Sequence, residues 1–238
     1  MKTKSLSILN DLSEHIFIKI NSCKSIVQER GWIEVKSHND YDIWYILSGE
    51  IYIEVGTKTY IANEGDVVFF YPDVPYTAYN GRCSCEFIYI HFDFRIGNNP
   101  KVLNDFNLAG IIPSRAIMKE TALFKEACTE FEKNSAMSSI FLKGSFTILL
   151  ASIFSYYKNL GTKYNNFELD NISNNPKNKA KLEILQPVFQ YVSGNINRQI
   201  KISDLAASVN MSEKYFISYF KSALGITPGN YITQLKKN

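Results

Sequence analysis

The most informative stretch of this sequence is ISDLAASVNMSEKYFISYFK, residues 202–221. Ser203 is suited to cap a short helix, and Asn210 stands where the chain must turn sharply, because Asn tolerates a positive φ. Ser212 is then placed to cap a second helix. Apolar residues recur at the spacing of two helices that pack across a tight turn: Leu205, Val209, Met211, Phe216 and Tyr219, with Ala206 at the crossing. The stretch therefore predicts a helix-turn-helix.

One face of the second helix stays outward when those side chains are buried. In DNA-binding helix-turn-helix motifs, the N-terminal part of this helix enters the major groove. We expect Lys214 to donate to guanine, Ser218 to contact a base edge or phosphate, and Ile217 to touch a thymine methyl. Lys221 is expected to meet phosphate, and Ser212 completes the predicted DNA-binding set. The alternative is an ordinary helical hairpin with a solvated face, which an outward Ile217 argues against.

The distribution of charge agrees with a nucleic-acid-binding segment. Residues 177–238 hold nine basic and three acidic residues, whereas residues 1–176 hold 17 basic and 20 acidic ones. A small basic segment on a mildly acidic body is typical of a nucleic-acid-binding module joined to another domain. Basic segments are also often merely solvated, so charge by itself is weak support.

The 238 residues are enough for one large or two ordinary domains, each with a buried core. The four cysteines have neither a disulfide framework nor a CxxC spacing, which indicates reduced thiols in the cytoplasm. The longest apolar run, residues 146–154, is shorter than the roughly 20 residues of a membrane helix. A membrane span and a secretory signal are therefore not expected.

Short apolar runs separated by turn signals fill residues 32–95. They are 43–47, 51–55, 60–62, 67–71 and 87–94, and such regularly spaced strands favour a β-sandwich or barrel. The short connection after Gly56 predicts a hairpin. The run 67–71 does not alternate, so we expect it to be covered on both faces.

Helical periodicity replaces this pattern after Pro113. Residues 121–134 and 141–157 predict two amphipathic helices that form a pair. The second has a wide apolar face, which either packs in the core or pairs with another subunit; both interpretations stay open. Residues 161–180 are rich in asparagine and predict a linker, and residues 182–192 predict a further helix that ends near Gly194.

The C-terminal segment resembles the first half of the DNA-binding domain of AraC-type transcription regulators. The resemblance rests on ISDLA (202–206), VNMS (209–212), YFISYFK (215–221), GITP (225–228) and YITQL (231–235). It implies two helix-turn-helix units joined by a long helix, which here begins at Thr227-Pro228 with cap and first-turn proline in order. Because the sequence ends at Asn238, we expect the first unit alone, in a truncated or naturally shortened product. The family commonly has arginine at the position of Ser218.

Two N-terminal stretches resemble the motifs of a cupin β-barrel, the sensor domain of many AraC-type regulators. They are NDYDIWYILSGE (39–50) and GDVVFFYPDVPY (65–76), and residues 87–94 resemble a later strand of that domain. Enzymatic cupins bind a metal with two His and a carboxylate from the first motif and a His from the second. The matching positions here are Lys36, His38, Asp42 and Tyr76. This set offers too few ligands, so we expect no metal, no other cofactor and no catalytic residues.

Strand periodicity predicts a ligand cavity in this barrel. If His38 points inward, the alternate residues of the first strand do so too, and alternate residues of the later strand share one face. Trp44 and Tyr89 would stack on a sugar-like face, while His38, Asp42 and Ser48 would supply polar groups. The predicted ligand-binding residues are His38, Asp42, Trp44, Ser48, Tyr76, Tyr89 and His91. The alternative, that the aromatic residues simply fill the barrel, stays open.

Together these patterns predict an α+β protein with four parts. Residues 1–112 form a cupin-like barrel, 113–160 a helical dimerisation pair, 161–180 a linker and 181–238 one helix-turn-helix unit. The implied function is a cytoplasmic transcription regulator that responds to a carbohydrate or related metabolite. Its expected partners are double-stranded DNA, a second copy of the chain and RNA polymerase, with no membrane partner. Two alternatives stay open: a cupin metalloenzyme (isomerase or oxygenase), and a dimerising antagonist without full DNA binding.

Overall fold

The computed structural model describes residues 8–96, 99–159, 166–169 and 176–236. The chain divides into two compact units. We call Ile18–Asp93 with Asn107–Ser173 the β unit, and Met1–Phe17, Phe94–Phe106 and Asn174–Asn238 the helical unit. Strands dominate the first half of the chain and helices the second, which confirms the predicted α+β class.

Ten strands lie within the described residues. They are β1 (Ile16–Gln28), β2 (Ile33–Lys36), β3 (Tyr41–Ser48), β4 (Glu50–Val55), β5 (Lys58–Asn63), β6 (Val67–Phe70), β7 (Tyr76–Asn80), β8 (Cys85–Ile96), β9 (Asn99–Pro100) and β10 (Gly110–Ile112). One sheet has the order β1-β8-β3-β6-β10, with β9 paired to β8, and the other has the order β2-β7-β4-β5.

The five strands expected from the sequence are present as β3, β4, β5, β6 and β8. The predicted hairpin joins β4 to β5, with Val55 opposite Lys58. Every residue of β6 is buried, as its lack of alternation predicts. Strands β1, β2, β7, β9 and β10 were not predicted. In β1 the buried residues are Ile18 and Cys23, five positions apart, so the strand shows no apolar alternation.

The predicted helical pair is confirmed as α2 (Met118–Glu132) and α3 (Ser138–Asn159), which pack against each other. The rings of Phe124 and Phe146 are 5.9 Å apart, and Phe146 lies 4.8 Å from Phe92 of β8. Among the described residues, α3 is long and apolar enough to cross a membrane by length and composition alone. Core helices of other proteins meet the same criterion, so it is weak evidence for a membrane span; α3 packs on α2 and β8 with one face, and 39% of its apolar window is buried.

The predicted linker, residues 161–180, is only partly described. Residues 161–165 and 170–175 lie outside the described residues. Phe167 is buried beside Tyr60 and Phe70, with ring distances of 4.9 and 5.6 Å. The next helix, α4 (Pro176–Gly194), begins six positions before the predicted residue 182 and ends at Gly194 as expected. Phe167 thus contacts a residue of each sheet, Tyr60 on β5 and Phe70 on β6, and the asparagine-rich composition does not reveal these tertiary contacts.

The helical unit has its core around the predicted helix-turn-helix. Helix α1 (Ile8–Asp11) and α5 (Ile202–Ser208) pack on α4, and α6 (Glu213–Leu224) contacts α4, α5 and α7 (Pro228–Lys236). The ring of Phe220 is 6.0 Å from that of Phe189 and 5.5 Å from that of Tyr231, and those two rings are 5.7 Å apart. Phe220, which the sequence analysis did not assign to the core, is fully buried, whereas Tyr219 is half-buried, as are Val209 and Met211 of the predicted set.

The turn between α5 and α6 follows the sequence closely. Asn210 has a φ of 53°, which confirms the predicted left-handed turn residue. Ser212 caps α6 by accepting from the Tyr215 amide at 3.4 Å. The cap predicted at Ser203 is wrong, because α5 begins at Ile202 and its N-cap is Lys201, two positions earlier. The Lys201 carbonyl accepts the first helical bonds, and Ser203 lies inside the first turn.

Candidate functional site

A cavity of about 270 Å³ opens into the β unit. Six of the seven predicted ligand-binding residues line it: His38, Asp42, Trp44, Tyr76, Tyr89 and His91. Pairing of β3 with β8 explains why they meet, since Asp42 lies opposite His91 and Trp44 opposite Tyr89. His38 precedes β3, and its carbonyl accepts from the Asp73 amide at 2.6 Å.

Ser48 is the one predicted residue that the structure does not bring to the cavity. A β-bulge shifts the register between Ile46 and Ser48, and the Ser48 side chain is exposed. A bulge inserts an extra residue and ends the simple alternation on which the prediction rested. Ser48 is not among the described residues that line the cavity.

Several cavity residues were missed by sequence reasoning. Ser22, Ile26 and Gln28 come from β1, and Glu34 comes from β2, two strands that the sequence did not predict. The sequence weighed Lys36 only as a metal-ligand position, yet it also lines the cavity and its ammonium lies 2.9 Å from Glu34. Apolar and polar residues alternate at Ile33, Glu34 and Val35, as they do in a β-strand. However, β2 has only four residues, which is too short a stretch for this alternation to predict a strand.

A hydrogen-bond network joins the polar groups of the cavity. The Tyr76 hydroxyl donates to Glu34 Oε1 at 3.0 Å and lies 3.2 Å from His38 Nε2. The Trp44 indole N–H donates to Asp42 Oδ2 at 2.7 Å. These contacts hold the ring of Tyr76 and the carboxylate of Asp42 in fixed orientations before any ligand arrives.

On the other side of the cavity, Asp40 anchors His91. His91 Nδ1 lies 3.0 Å from Asp40 Oδ1, and the other oxygen of Asp40 accepts from the Asn21 amide at 2.9 Å. His91 Nε2 is 3.8 Å from Asp42 Oδ2. Asp40 therefore orients an imidazole whose second nitrogen faces the buried carboxylate of Asp42.

Burial controls the electrostatics of this cavity. Loss of solvent raises the pKa of Asp42 well above its ordinary value, an effect that the Trp44 hydrogen bond partly offsets. Burial, together with the nearby His91 and Lys36, lowers the pKa of His38 and so favours its neutral imidazole. Burial and the carboxyl groups of Asp42 and Glu34 raise the pKa of Tyr76, which keeps its hydroxyl protonated.

Three of these residues form a possible metal-binding cluster. His38, Asp42 and His91 each offer one ligand atom, and these atoms lie within 4.8 Å of one another. The cupin resemblance instead implied the positions Lys36, His38, Asp42 and Tyr76, so the cluster contains His91 in place of Lys36 and Tyr76. Histidine and carboxylate are ligands of divalent transition metals, whereas a lysine ammonium has no lone pair.

The predicted DNA-binding residues share the outer surface of the helix-turn-helix. Ser212, Lys214, Ser218 and Lys221 are exposed, and Ile217 is half-buried. Tyr215 was missed: its side chain is 58% exposed and its ring lies 5.9 Å from that of Tyr219. Tyr215 and Tyr219 are four residues apart and so lie on one side of a helix, next to Lys214. This spacing is the sequence signal that would have identified Tyr215.

Comparison with protein families assigns both regions. Residues 25–91 match the cupin domain family, and residues 194–233 match the family of bacterial regulatory helix-turn-helix proteins of the AraC type. Both resemblances drawn from the sequence are thereby confirmed. The chain combines an N-terminal cupin domain with a C-terminal AraC-type helix-turn-helix. A search of curated proteins finds no significant match.

Among solved structures, the chain is similar to ToxT from Vibrio cholerae bound to (E)-4-(8-methylnaphthalen-1-yl)but-3-enoic acid. Identity is 14%, the match covers 91% of this chain and 100% of ToxT, and the TM-score is 0.41. A predicted oxalate decarboxylase from Thermotoga maritima is 24% identical over 31% of this chain and 66% of its own, with a TM-score of 0.29. The cupin domain of an XRE family transcriptional regulator from Enterobacter cloacae is 14% identical over 32% and 95%, with a TM-score of 0.28. These scores are too low to bear on function.

Proposed function

We propose that this chain, which joins a cupin domain to an AraC-type helix-turn-helix, is a ligand-responsive transcription regulator rather than an enzyme. The observation that carries the proposal is the pairing, in one chain, of a DNA-binding motif with a domain that holds a polar cavity. A ligand that prefers one arrangement of the chain shifts the population toward it and so alters DNA binding. The proposed regulator acts in the cytoplasm, where its DNA is, and RNA polymerase is proposed as a further partner.

The outer surface of α6 is the proposed DNA contact. Lys214, in the first turn of the helix, is exposed and suited to donate to guanine O6 and N7 in the major groove. Ser218 lies one turn further on the same face, and Ile217 presents a partly exposed apolar edge to a thymine methyl. Ser212 and Lys221 lie at positions suited to phosphate. The excess of basic residues in 177–238 supports a DNA contact in this part of the chain.

Replacing Lys214 with alanine is expected to weaken specific DNA binding by about 1–3 kcal/mol and to relax preference at one base position. The measurement is a fluorescence-anisotropy titration against selected operator duplexes and variants with single base changes. Lys125→Ala is the control, because Lys125 is an exposed lysine of α2 and its loss changes the net charge equally. An equal loss of affinity on all sequences would reassign Lys214 to phosphate.

A carbohydrate or related small metabolite is the proposed effector. The cavity volume of about 270 Å³ lies near the lower end of ligand sites, which favours a small molecule. Tyr89 offers an aromatic face, while Glu34, His38 and His91 supply donors and acceptors around it. Aromatic faces combined with convergent polar groups match the alternating C–H and hydroxyl surfaces of a sugar.

A thermal-shift screen of sugars and sugar acids against the purified chain tests this effector class. A binder raises the melting temperature by mass action, with about 2.7 kcal/mol of stabilisation at a hundred times its Kd. Tyr89→Ala is expected to abolish the shift. Tyr45→Ala is the matched control, since Tyr45 lies on β3 and is not among the described residues that line the cavity. The carbohydrate assignment fails if no sugar shifts the transition at millimolar concentration.

The outward face of α3 is the proposed dimer contact. Ile140, Gly144, Ile148 and Ala151 are exposed and lie along one side of this helix. Ile140 and Ile148 are 66% and 49% exposed and lie two turns apart on the same side, so they belong to a continuous stripe rather than to scattered apolar side chains. This stripe supports the interpretation that the wide apolar face pairs with a second copy.

Ile148→Glu is expected to convert a dimer to a monomer, because a charge would be buried in an apolar contact. Sedimentation velocity across a range of concentrations provides the measurement. Ala122→Glu adds the same charge to an exposed position of α2 and is expected to leave the dimer intact. A wild-type chain that sediments as a monomer at tens of micromolar would refute the proposed contact.

A further inference from the structure

Two buried thiols meet between strand β1 and helix α2. The Sγ atoms of Cys23 and Cys128 are 3.2 Å apart, and one thiol donates to the other, although the two residues are 105 positions apart in the sequence. Their side chains are 9% and 2% exposed. A disulfide bond holds its sulfurs about 2.05 Å apart, so this pair needs to close by only ~1.2 Å. Small rotations of the two side chains can supply a movement of that size.

A second contact holds β1 and α2 in the same register. The Ser25 backbone amide donates to Glu132 Oε1 at 2.7 Å. Ser25 lies two positions after Cys23 on the strand, and Glu132 lies four positions after Cys128 on the helix. Residues at these spacings share one face of a strand and one face of a helix, respectively. The packing of two regular elements therefore brings the thiols together.

Strand β1 is also a wall of the cavity. Ser22, Ile26 and Gln28 line the cavity, and all three stand at even-numbered positions of the strand, whereas Cys23 stands at an odd-numbered one. Successive side chains of a strand point to opposite faces, so Cys23 faces away from the cavity and toward α2. A covalent bond at Cys23 would therefore tie one wall of the cavity to α2.

We propose that Cys23 and Cys128 form a reversible disulfide when the folded chain meets a peroxide. The sulfur of Cys23 attacks one oxygen of hydrogen peroxide, the O–O bond breaks, and the departing hydroxide takes up the thiol proton and leaves as water. Cys23 is then a sulfenic acid. The sulfur of Cys128 attacks the sulfenic sulfur, the S–O bond breaks, and a second water leaves with the Cys128 proton. Two thiols thus lose two electrons, and one peroxide is reduced to two waters.

Cys23 is the expected first nucleophile. It is the more exposed of the two thiols, and β1 is an edge strand of its sheet. The hydrogen bond with Cys23, together with burial, raises the pKa of Cys128, so Cys128 keeps its proton until Cys23 has reacted. Disulfides in reducing compartments are usually transient and redox-sensing. That oxidation would alter the effector response is a consequence that rests on the proposed function, whereas formation of the bond does not.

Oxidation of the purified full-length chain, followed by peptide mapping, tests the bond. The reduced chain is treated with hydrogen peroxide under native conditions, alkylated in denaturant and digested with trypsin without a reducing agent. Of the four cysteines, we expect two to be alkylated and two to join the tryptic peptides 20–24 and 126–133. Dithiothreitol is expected to restore all four thiols. No DNA or effector enters this measurement, so its failure is distinguishable from failure of the proposed regulator.

Thermal unfolding of the oxidised and reduced chains gives a second readout. A disulfide that closes a loop of roughly 100 residues restricts the unfolded chain, so oxidation is expected to raise the melting temperature by about 10 °C. Cys23→Ser and Cys128→Ser are each expected to remove both the linked peptide and this rise. Cys83→Ser is the matched control, because Cys83 is exposed, and we expect it to keep both.

The inference is overturned if the oxidised wild type lacks the linked peptide, or if Cys83 and Cys85 pair within peptide 83–95 in its place. It is also overturned if oxidation lowers the melting temperature, since the bond would then distort the native structure. The same oxidation in guanidinium is the control for the fold, and we expect mixed pairings there. A linked peptide equally abundant in guanidinium would count against placement of the thiols by the fold. Mapping of the wild type needs no variant, so a substitution that fails to fold leaves the test intact.

Discussion

Trp44→Ala is expected to destabilise the β unit by about 3–5 kcal/mol, because a large aromatic side chain is removed from a packed core. Trp44 is 2% exposed, and its ring stacks on Phe87 at 4.5 Å. Its edge also meets Phe70 and Tyr76, at ring distances of 4.8 and 5.6 Å. The substitution would further leave Asp42 without the indole donor on Oδ2, which adds the cost of an unpaired buried oxygen.

Denaturant unfolding followed by circular dichroism provides the measurement for Trp44→Ala. Trp44→Phe is the matched variant, since it keeps most of the packing and removes the indole N–H. We expect Trp44→Phe to cost about 1–3 kcal/mol, the usual penalty for a buried acceptor that loses its partner. If Trp44→Ala unfolds at the same denaturant concentration as the wild type, Trp44 does not contribute to the stability of the β unit, and its role is confined to lining the cavity.

Phe220→Ala is expected to destabilise the helical unit by a similar amount, about 3–5 kcal/mol, and thereby to abolish DNA binding. Phe220 is fully buried, with Phe216 at 5.6 Å, Tyr231 at 5.5 Å and Phe189 at 6.0 Å. These rings come from α4, α6 and α7, so loss of Phe220 loosens three helices at once. A displaced α6 can no longer present Lys214 to the major groove.

Tyr219→Ala is the matched control for Phe220→Ala. Tyr219 is the neighbouring aromatic residue on α6, but it is only half-buried, and its ring contacts the exposed Tyr215. We expect it to cost about 1 kcal/mol or less, as surface-facing substitutions usually do. Thermal unfolding and operator binding of both variants give the comparison. A larger loss for Tyr219→Ala than for Phe220→Ala would contradict the orientation of α6.

The cavity offers the proposed regulator a place where a ligand can act on the sheet. Trp44 connects core packing to ligand chemistry, because it holds the carboxylate of Asp42 that faces His91. Asp42 on β3 and His91 on β8 are register partners. Ligand binding at Asp42 is therefore expected to stiffen both strands together. In the proposed regulator, ligand binding in the cavity acts on the sheet through these paired strands.

Local sequence signals predicted most of the regular structure. Asn210 and Pro228 act through the backbone preferences of their residue types, and Ser212 acts through its side-chain oxygen, so the turn and the caps of α6 and α7 were predictable from nearby residues alone. Apolar periodicity likewise identified α2, α3 and five strands. The cap at Ser203 was misplaced because helix ends are defined by one hydrogen bond, which the side-chain pattern does not locate.

By itself, the sequence determined the two domain types, the helix-turn-helix and six of the cavity residues, because these follow from local propensity, period-two alternation and motif resemblance. Only the tertiary structure decided that His91 lies beside Asp42, that a bulge removes Ser48 and that Phe220 rather than Tyr219 is buried. Those outcomes depend on strand register and helix rotation, which are set by packing between residues distant in the chain. A shift of one residue would reverse the two faces of a strand and rotate the buried face of a helix by about 100°, and no local pattern fixes that choice.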